Sequence, residues 1–257
     1  MTLPNVVSGA IRPGPAVASK LEAFTRLSKD DRAALAALGR NVRRIDARRD
    51  LISEGEKPRF VHLVLDGWAC RYKQLPDGKR QIVSLFVPGD FCDVNVYILK
   101  AMDHSNGAIT RIRVAMIGPE EMSALTAERP RITQALWWHE LVTTAIQREW
   151  TLNIGQRSAY ERIAHLLVEL FLRLQVIGHT RGETCDFPLT QTDLADATGL
   201  TPVHVNRTLQ ELRRDKLIEL ERKQLHILDL PRMMDVAMFN ANYLHLDHEG
   251  RHFDAND

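Results

Sequence analysis

Apolar positions change their period twice along this chain. Leu21, Phe24, Leu27, Leu35 and Leu38 are spaced to give one buried face of a short helical stretch, and Ser28 stands as an N-cap ahead of Asp30 and Asp31. Between about Val42 and Leu125 the pattern becomes that of strands. The runs FVHLVLDGWACRYKQL, RQIVSLFV and ITRIRVAMI are rich in β-branched and aromatic residues. Turn signals separate them at EGEKP, Asp66–Gly67, Pro76–Asp77–Gly78 and Pro88–Gly89–Asp90, which predicts an all-β sandwich or roll. The two Asp-Gly pairs read as hairpin turns, because glycine takes the positive φ such turns need. After Pro130 the helical period returns. RITQALWWHELVTTAIQREWTLNIG carries Leu136, Thr143, Ile146, Trp150 and Ile154 along one stripe, with Trp137 and Leu141 flanking. Gly155 is expected to break this helix, Ser158 to start another and Gly178 to end it. Such a helix can close over the β-domain or pair with a second copy of the chain, and a long apolar stripe between two domains, including bulky Trp150, favours the homodimer over a purely internal core role.

Residues 189–229 carry the densest functional signal. Thr190 occupies an N-cap position with Asp193 three residues on, and Leu194, Ala195 and Ala197 make a short apolar face that Gly199 ends. Thr201 caps a second helix with Pro202 in its first turn, and Val205, Leu209 and Leu212 supply its core face. Two helices joined by a short glycine-containing turn are the helix-turn-helix pattern. LIELE and QLHILDL around Arg222–Lys223 read as a hairpin, or wing. A recognition helix places its N-terminal side chains at base edges in the major groove. Arg207 can donate two hydrogen bonds to guanine, and Asn206 can pair with adenine. Thr190, Gln191 and Thr192 suit a phosphate at the start of the preceding helix, and Arg222 and Lys223 offer two further phosphate contacts at the wing tip.

Charge complicates this reading. The whole chain balances Lys+Arg 34 against Asp+Glu 33, so no partner is named by bulk electrostatics. From His179 to Leu230 there are seven Lys/Arg and nine Asp/Glu, a deficit for a nucleic-acid domain, although Thr201 to Leu217 holds four basic and two acidic residues. Binding is therefore expected to need a dimer and specific contacts. Three cysteines without a CxxC pair argue against a disulfide framework, a zinc finger or a four-cysteine iron–sulfur cluster, and fit a reducing cytoplasm. No apolar run is long enough to cross a bilayer, and the first twenty residues lack a secretory h-region.

Roll, long helix and winged helix-turn-helix, in that order, resemble the Crp/Fnr family of bacterial transcription regulators. The likeness spans about residues 21 to 230 and rests on Pro88–Gly89–Asp90–Phe91, SAYERIAHLLVEL and LTQTDLADATGLTPVHVNRTLQELRRDKLI. It implies an α+β chain with an N-terminal double-stranded β-helix (a jelly roll like that of cyclic-nucleotide-binding domains), a long dimerisation helix and a C-terminal winged helix-turn-helix. The expected boundaries are a flexible arm at 1–20, the sensor-like roll at 21–129, the dimerisation helix at 130–156, and the DNA-binding domain with a C-terminal extension at 157–257. The resemblance also implies a homodimer on double-stranded DNA at a palindromic promoter site, with RNA polymerase as a further partner for an activator. By it Val203, Asn206 and Arg207 face bases, while Thr190, Gln191, Thr192, Thr201, His204, Arg222 and Lys223 touch phosphates or position the helix. Many members carry glutamate where Val203 stands, so the half-site should differ from the common one. In cyclic-nucleotide-binding members Gly-Glu-Leu and then Arg-Ser hold the cyclic phosphate. Here Cys92–Asp93–Val94–Asn95 follows the turn and Met102–Asp103 falls near the Arg-Ser place, where an acid repels phosphate. Cyclic AMP is therefore not the expected effector, and no cofactor is expected.

Other chemistries are weaker. His62, His104 and His139 are isolated candidates for haem or metal, His245, His248 and His252 form a tail cluster, and Cys92 near the pocket is a redox candidate that reads better as a buried apolar residue. A cupin-like metal enzyme is the alternative function, but His62 lacks the neighbouring histidine and carboxylate such a site needs. A regulator without any effector is the third reading.

Overall fold

The computed structural model describes residues 16–38 and 41–246. Two short helices come first: α1 (Ala16–Glu22) and α2 (Lys29–Ala37). Ser28 caps α2 in a full capping box, its Oγ accepting from the Asp31 N–H while the Asp31 carboxylate accepts from the Ser28 N–H. Leu21, Phe24, Leu27, Leu35 and Leu38 are all buried. The expected arm is thus shorter at its C-terminal end, because Val17, Ala18 and Leu21 give α1 an apolar face to bury, and residues 1–15 lie outside the described residues.

Seven strands follow: β1 (Val42–Ile45), β2 (Asp50–Ile52), β3 (Val61–Asp66), β4 (Ala69–Gln74), β5 (Arg80–Phe86), β6 (Ser105–Ala108) and β7 (Ile112–Ile117). They form two antiparallel sheets in the orders β1-β7-β3 and β2-β6-β4-β5. Leu63, Cys70, Ile82, Leu85 and Ile117 are buried in the roll. Asp77–Gly78 makes the expected hairpin, β4 pairing with β5 up to Gln74 and Arg80. Asp66–Gly67 does not. Its flanking strands lie in different sheets, and Gly67, at φ +80, turns the corner where a Cβ would stand 2.5 Å from the Arg111 carbonyl oxygen.

Helix α3 (Pro119–Glu128) leads into the 27-residue α4 (Pro130–Gln156). Gly155 does not break α4. A lone glycine costs a helix only about 1 kcal/mol, and the stop falls instead at Arg157, whose backbone is extended, followed by the Ser158 capping box that starts α5 (Ala159–Val176). Gly178, at φ +71, closes α5 in a Schellman arrangement, its N–H reaching the Gln175 carbonyl and the His179 N–H that of Leu174. The C-terminal part comprises a small hairpin β8 (Thr180–Arg181) and β9 (Thr184–Asp186), the helices α6 (Gln191–Thr198) and α7 (Pro202–Arg214), a second hairpin β10 (Ile218–Glu221) and β11 (Gln224–Ile227), and α8 (Leu230–Val236). The two hairpins share one sheet in the order β10-β11-β9-β8. The chain then returns to α4 and α5, where the Tyr243 hydroxyl donates to Glu169 and stacks near His165. His245 sets its ring edge-on to Trp138, whereas His248 and His252 lie outside the described residues.

Candidate nucleic-acid interface

The end of the molecule formed by α6, α7 and the β10–β11 hairpin is built from short-range signals. Thr190 closes a capping box on α6, accepting from the Asp193 N–H at 3.2 Å while Asp193 accepts from the Thr190 N–H at 2.9 Å. Leu194, Ala195 and Ala197 are buried, and Gly199, at φ +66, ends the helix. Thr201 then caps α7, its hydroxyl oxygen accepting from the His204 N–H at 3.2 Å. Val205, Leu209 and Leu212 are buried beneath α7, each worth about 1.5–3 kcal/mol of apolar burial. The opposite face of α7 points outward. Val203 is 80% exposed, a large apolar side chain that the fold gives nothing to cover it. Arg207 is exposed, 4.0 Å from Glu211 one turn on. Half-buried Asn206 accepts on its Oδ1 from the Gln191 amide of α6 at 3.4 Å. His204 is half-buried, and Gln191 and Thr192 are exposed at the start of α6. At the hairpin tip Arg222 (φ +49) and Lys223 (φ +61) are both left-handed, the backbone of a two-residue turn that projects two cations into solvent. The Gln191–Asn206 bond thus joins the outer side of α7 to the first turn of α6, and the Lys223 carbonyl at the hairpin tip accepts from the Phe187 N–H, three residues before Thr190.

Two of the nine acids that tip the local charge balance, Asp193 and Asp196, are answered from the roll. Asp193 is fully buried, and Arg48, between β1 and β2, grips its two oxygens with both Nη atoms, Nη2 to Oδ2 at 2.8 Å. Burial alone would push the Asp193 carboxyl up, but hydrogen bonds from Arg48 and Thr190 outweigh it and hold the group below the usual carboxylate range. Arg80 on β5 reaches Asp196 at 2.8 Å and Asp193 at 3.3 Å. The Gln81 amide donates to the Ala197 carbonyl at 3.4 Å. None of these pairs is visible from spacing, since 145 residues separate Arg48 from Asp193. The one sequence signal was the excess of acids itself.

The stripe expected to meet a second copy is corrected by the packing of α4. Leu136 and Ile146 are buried in the chain's own core, and Trp150 is 5% exposed, its indole N–H donating to buried Glu169 at 3.0 Å. Thr143 is half-buried and Ile154 exposed. Helices α1 and α5 and the returning C-terminal segment cover that side. The apolar side chains left outside are Trp137 (69% exposed) and Leu141 (64%), one turn apart, with Leu152 and Ile154 further along.

Inside the roll, Asp93 accepts from Arg71 at 2.6 Å and from Asn106 at 2.6 Å, and lies 3.3 Å from the His104 ring. Asp103, expected in the pocket, is instead exposed and bonds the other His104 nitrogen at 2.7 Å. Cys92 is buried, and burial pushes its thiol up. Burial also lowers His62 to about 4 and holds His139 well below its usual value. Among the described residues no three His, Cys, Asp or Glu side chains gather as a metal site, and no helix is long and apolar enough to cross a membrane.

Comparison with known proteins gives matches to both halves. The cyclic nucleotide-binding domain family matches residues 42–129, and the Crp-like helix-turn-helix domain family matches residues 161–236. The transcriptional activator protein FnrL of Cereibacter sphaeroides is 32% identical over 76% of this chain and 79% of its own length. The nitrogen fixation regulation protein FixK of Bradyrhizobium diazoefficiens is 30% identical over 78% of this chain and 83% of its own. The solved structure of FixK2 from Bradyrhizobium japonicum superposes with a TM-score of 0.69 at 22% identity, covering 78% of this chain and 98% of that one.

Proposed function

The chain belongs to the Crp/Fnr family of transcription regulators, and on that footing we propose that it binds a palindromic promoter site as a homodimer. The observation that carries the proposal is the outward face of α7. Val203 and Arg207 stand exposed, and Asn206 half-buried against Gln191 in the first turn of α6, on a helix that buries Val205, Leu209 and Leu212 on its other face. Arg207 has the fork of donors that matches guanine O6 and N7, Asn206 the donor–acceptor pair that matches adenine, and Val203 a methyl surface for thymine. Thr190, Gln191 and Thr192 at the N-terminus of α6 meet a phosphate, Thr201 and His204 set the start of α7, and Arg222 and Lys223 reach the flanking backbone. Two copies meet through Trp137 and Leu141, which brings two α7 helices to face successive major grooves about 34 Å apart. Relatives named as activators extend the reading to contact with RNA polymerase.

Selection of bound duplexes from a random pool tests this directly. An inverted repeat is expected from the full-length protein. Arg207→Ala should remain dimeric and lose the enrichment, and a variant that still selects the same repeat contradicts the assignment.

The interior of the roll favours a regulator that takes no cyclic nucleotide. The Asp93 carboxylate lies inside the roll with Arg71, Asn106 and His104 as its partners, so the arginine there is already engaged by an acid of the chain. Cyclic AMP should leave both melting temperature and DNA affinity unchanged. A saturable shift in either contradicts this reading.

A further inference from the structure

We propose that the corner of the roll between β1 and β2 is a second DNA-backbone surface, continuous with the helix-turn-helix; this rests on the DNA-binding reading above. Arg48 lies on that corner and holds Asp193, the third residue of α6, through two of its five guanidinium donors. Its side chain is nonetheless about half exposed, so the remaining donors face solvent beside the helix end where a phosphate is received. Arg48 also adopts φ +65, a left-handed conformation that a non-glycine residue holds only when its surroundings enforce it. Its N–H is fixed on the Ala108 carbonyl at 2.8 Å, and the turn thereby aims the side chain across the gap between the two domains.

The corner also holds Asp46, which pairs with Arg111 at 3.1 Å, and Asp50, which accepts from the Tyr72 hydroxyl at 3.0 Å, so its unpaired cations among the described residues are two. Arg49 and Arg44 are exposed, and neither has an ion-pair partner among the described residues. Arg44 stands directly opposite Arg113 on the neighbouring strand, a like-charge pair that costs stability unless an anion lies over it. Asp66, on the far side of Arg113, is one acid for two arginines. The partner that fits is a run of phosphates rather than a single one. The corner presents Arg44 and Arg49 close in sequence to Arg48, the residue that ties it to α6, and the helix-turn-helix region itself carries more acids than bases. The roll therefore supplies positive charge that the DNA-reading domain lacks.

The test compares wild type with Arg44→Ala and Arg49→Ala, alone and together, on the duplex enriched by selection and on a scrambled duplex. Both residues are exposed and unpaired, so the melting temperature should not fall, and relief of the Arg44–Arg113 repulsion should raise it slightly in Arg44→Ala. Each variant should weaken binding to the two duplexes by the same factor. Each single variant should also make the slope of log affinity against log salt less steep by about 2 per dimer, one phosphate contact per subunit, and the double variant by about 4. Arg207→Ala provides the contrast, losing discrimination between the duplexes. A double variant with wild-type affinity and salt slope overturns the proposal while leaving sequence-specific binding intact. A wild-type protein that enriches no sequence overturns instead the reading beneath it.

Discussion

At the residue scale, the proposed reading of DNA sequence rests on three side chains in the first two turns of α7. Val203 carries the sharpest prediction. Val203→Glu places an acceptor where cytosine N4 can donate, so the selected half-site should gain a C·G pair at one position, by about 1–3 kcal/mol of discrimination. Selection with the variant protein checks it, and an unchanged half-site would remove Val203 from base contact. These positions were legible because an amphipathic helix that buries Val205, Leu209 and Leu212 must turn 203, 206 and 207 outward. The tie between Gln191 and Asn206 was not, because it joins side chains on two helices whose crossing the sequence does not specify.

At the element scale, α4 shows how far periodicity reaches. Its length and start were plain from Pro130 and the apolar spacing, yet the helix carries apolar residues on two sides. Which side meets the core depends on where α1 and α5 lie, and no pattern within α4 records that. Trp150 therefore belongs to the fold: Trp150→Asp should cost at least about 3 kcal/mol through the lost ring and a second carboxylate placed beside buried Glu169. Chemical denaturation will measure this, and near-native stability would contradict the packing. Trp137→Asp should instead leave the monomer stable and shift sedimentation from dimer to monomer. A dimer that survives it would place the contact elsewhere. The Asp66–Gly67 turn shows the same limit in the roll, since a glycine turn can join paired strands or turn a corner between sheets, and only the pairing distinguishes them.

At the scale of the whole molecule, the order of roll, long helix and winged helix-turn-helix was legible from the alternation of periods two and 3.6. The joint between the domains was not, because the Arg48–Asp193 and Arg80–Asp196 pairs are long-range. Buried histidines add a global property. Burial lowers His62 to about 4 and His165 to about 3, against an ordinary value of 6.5. Between the folded and ordinary values the unfolded chain binds more protons, so stability rises with pH across that window. On acidification below about pH 6.5, the unfolding free energy should fall by up to about 1.4 kcal/mol per pH unit for each such histidine. Denaturant titrations between pH 7 and pH 5 will show it, and a flat profile would contradict the burial of these rings.

The measurement that bears most directly on the central claim is a hydroxyl-radical footprint of the full-length protein on a duplex enriched by selection. Two protected segments should appear, related by two-fold symmetry and centred about one helical turn apart. Protection of a single half-site, or of none, would contradict a dimer that presents two copies of α7 to the same face of the double helix.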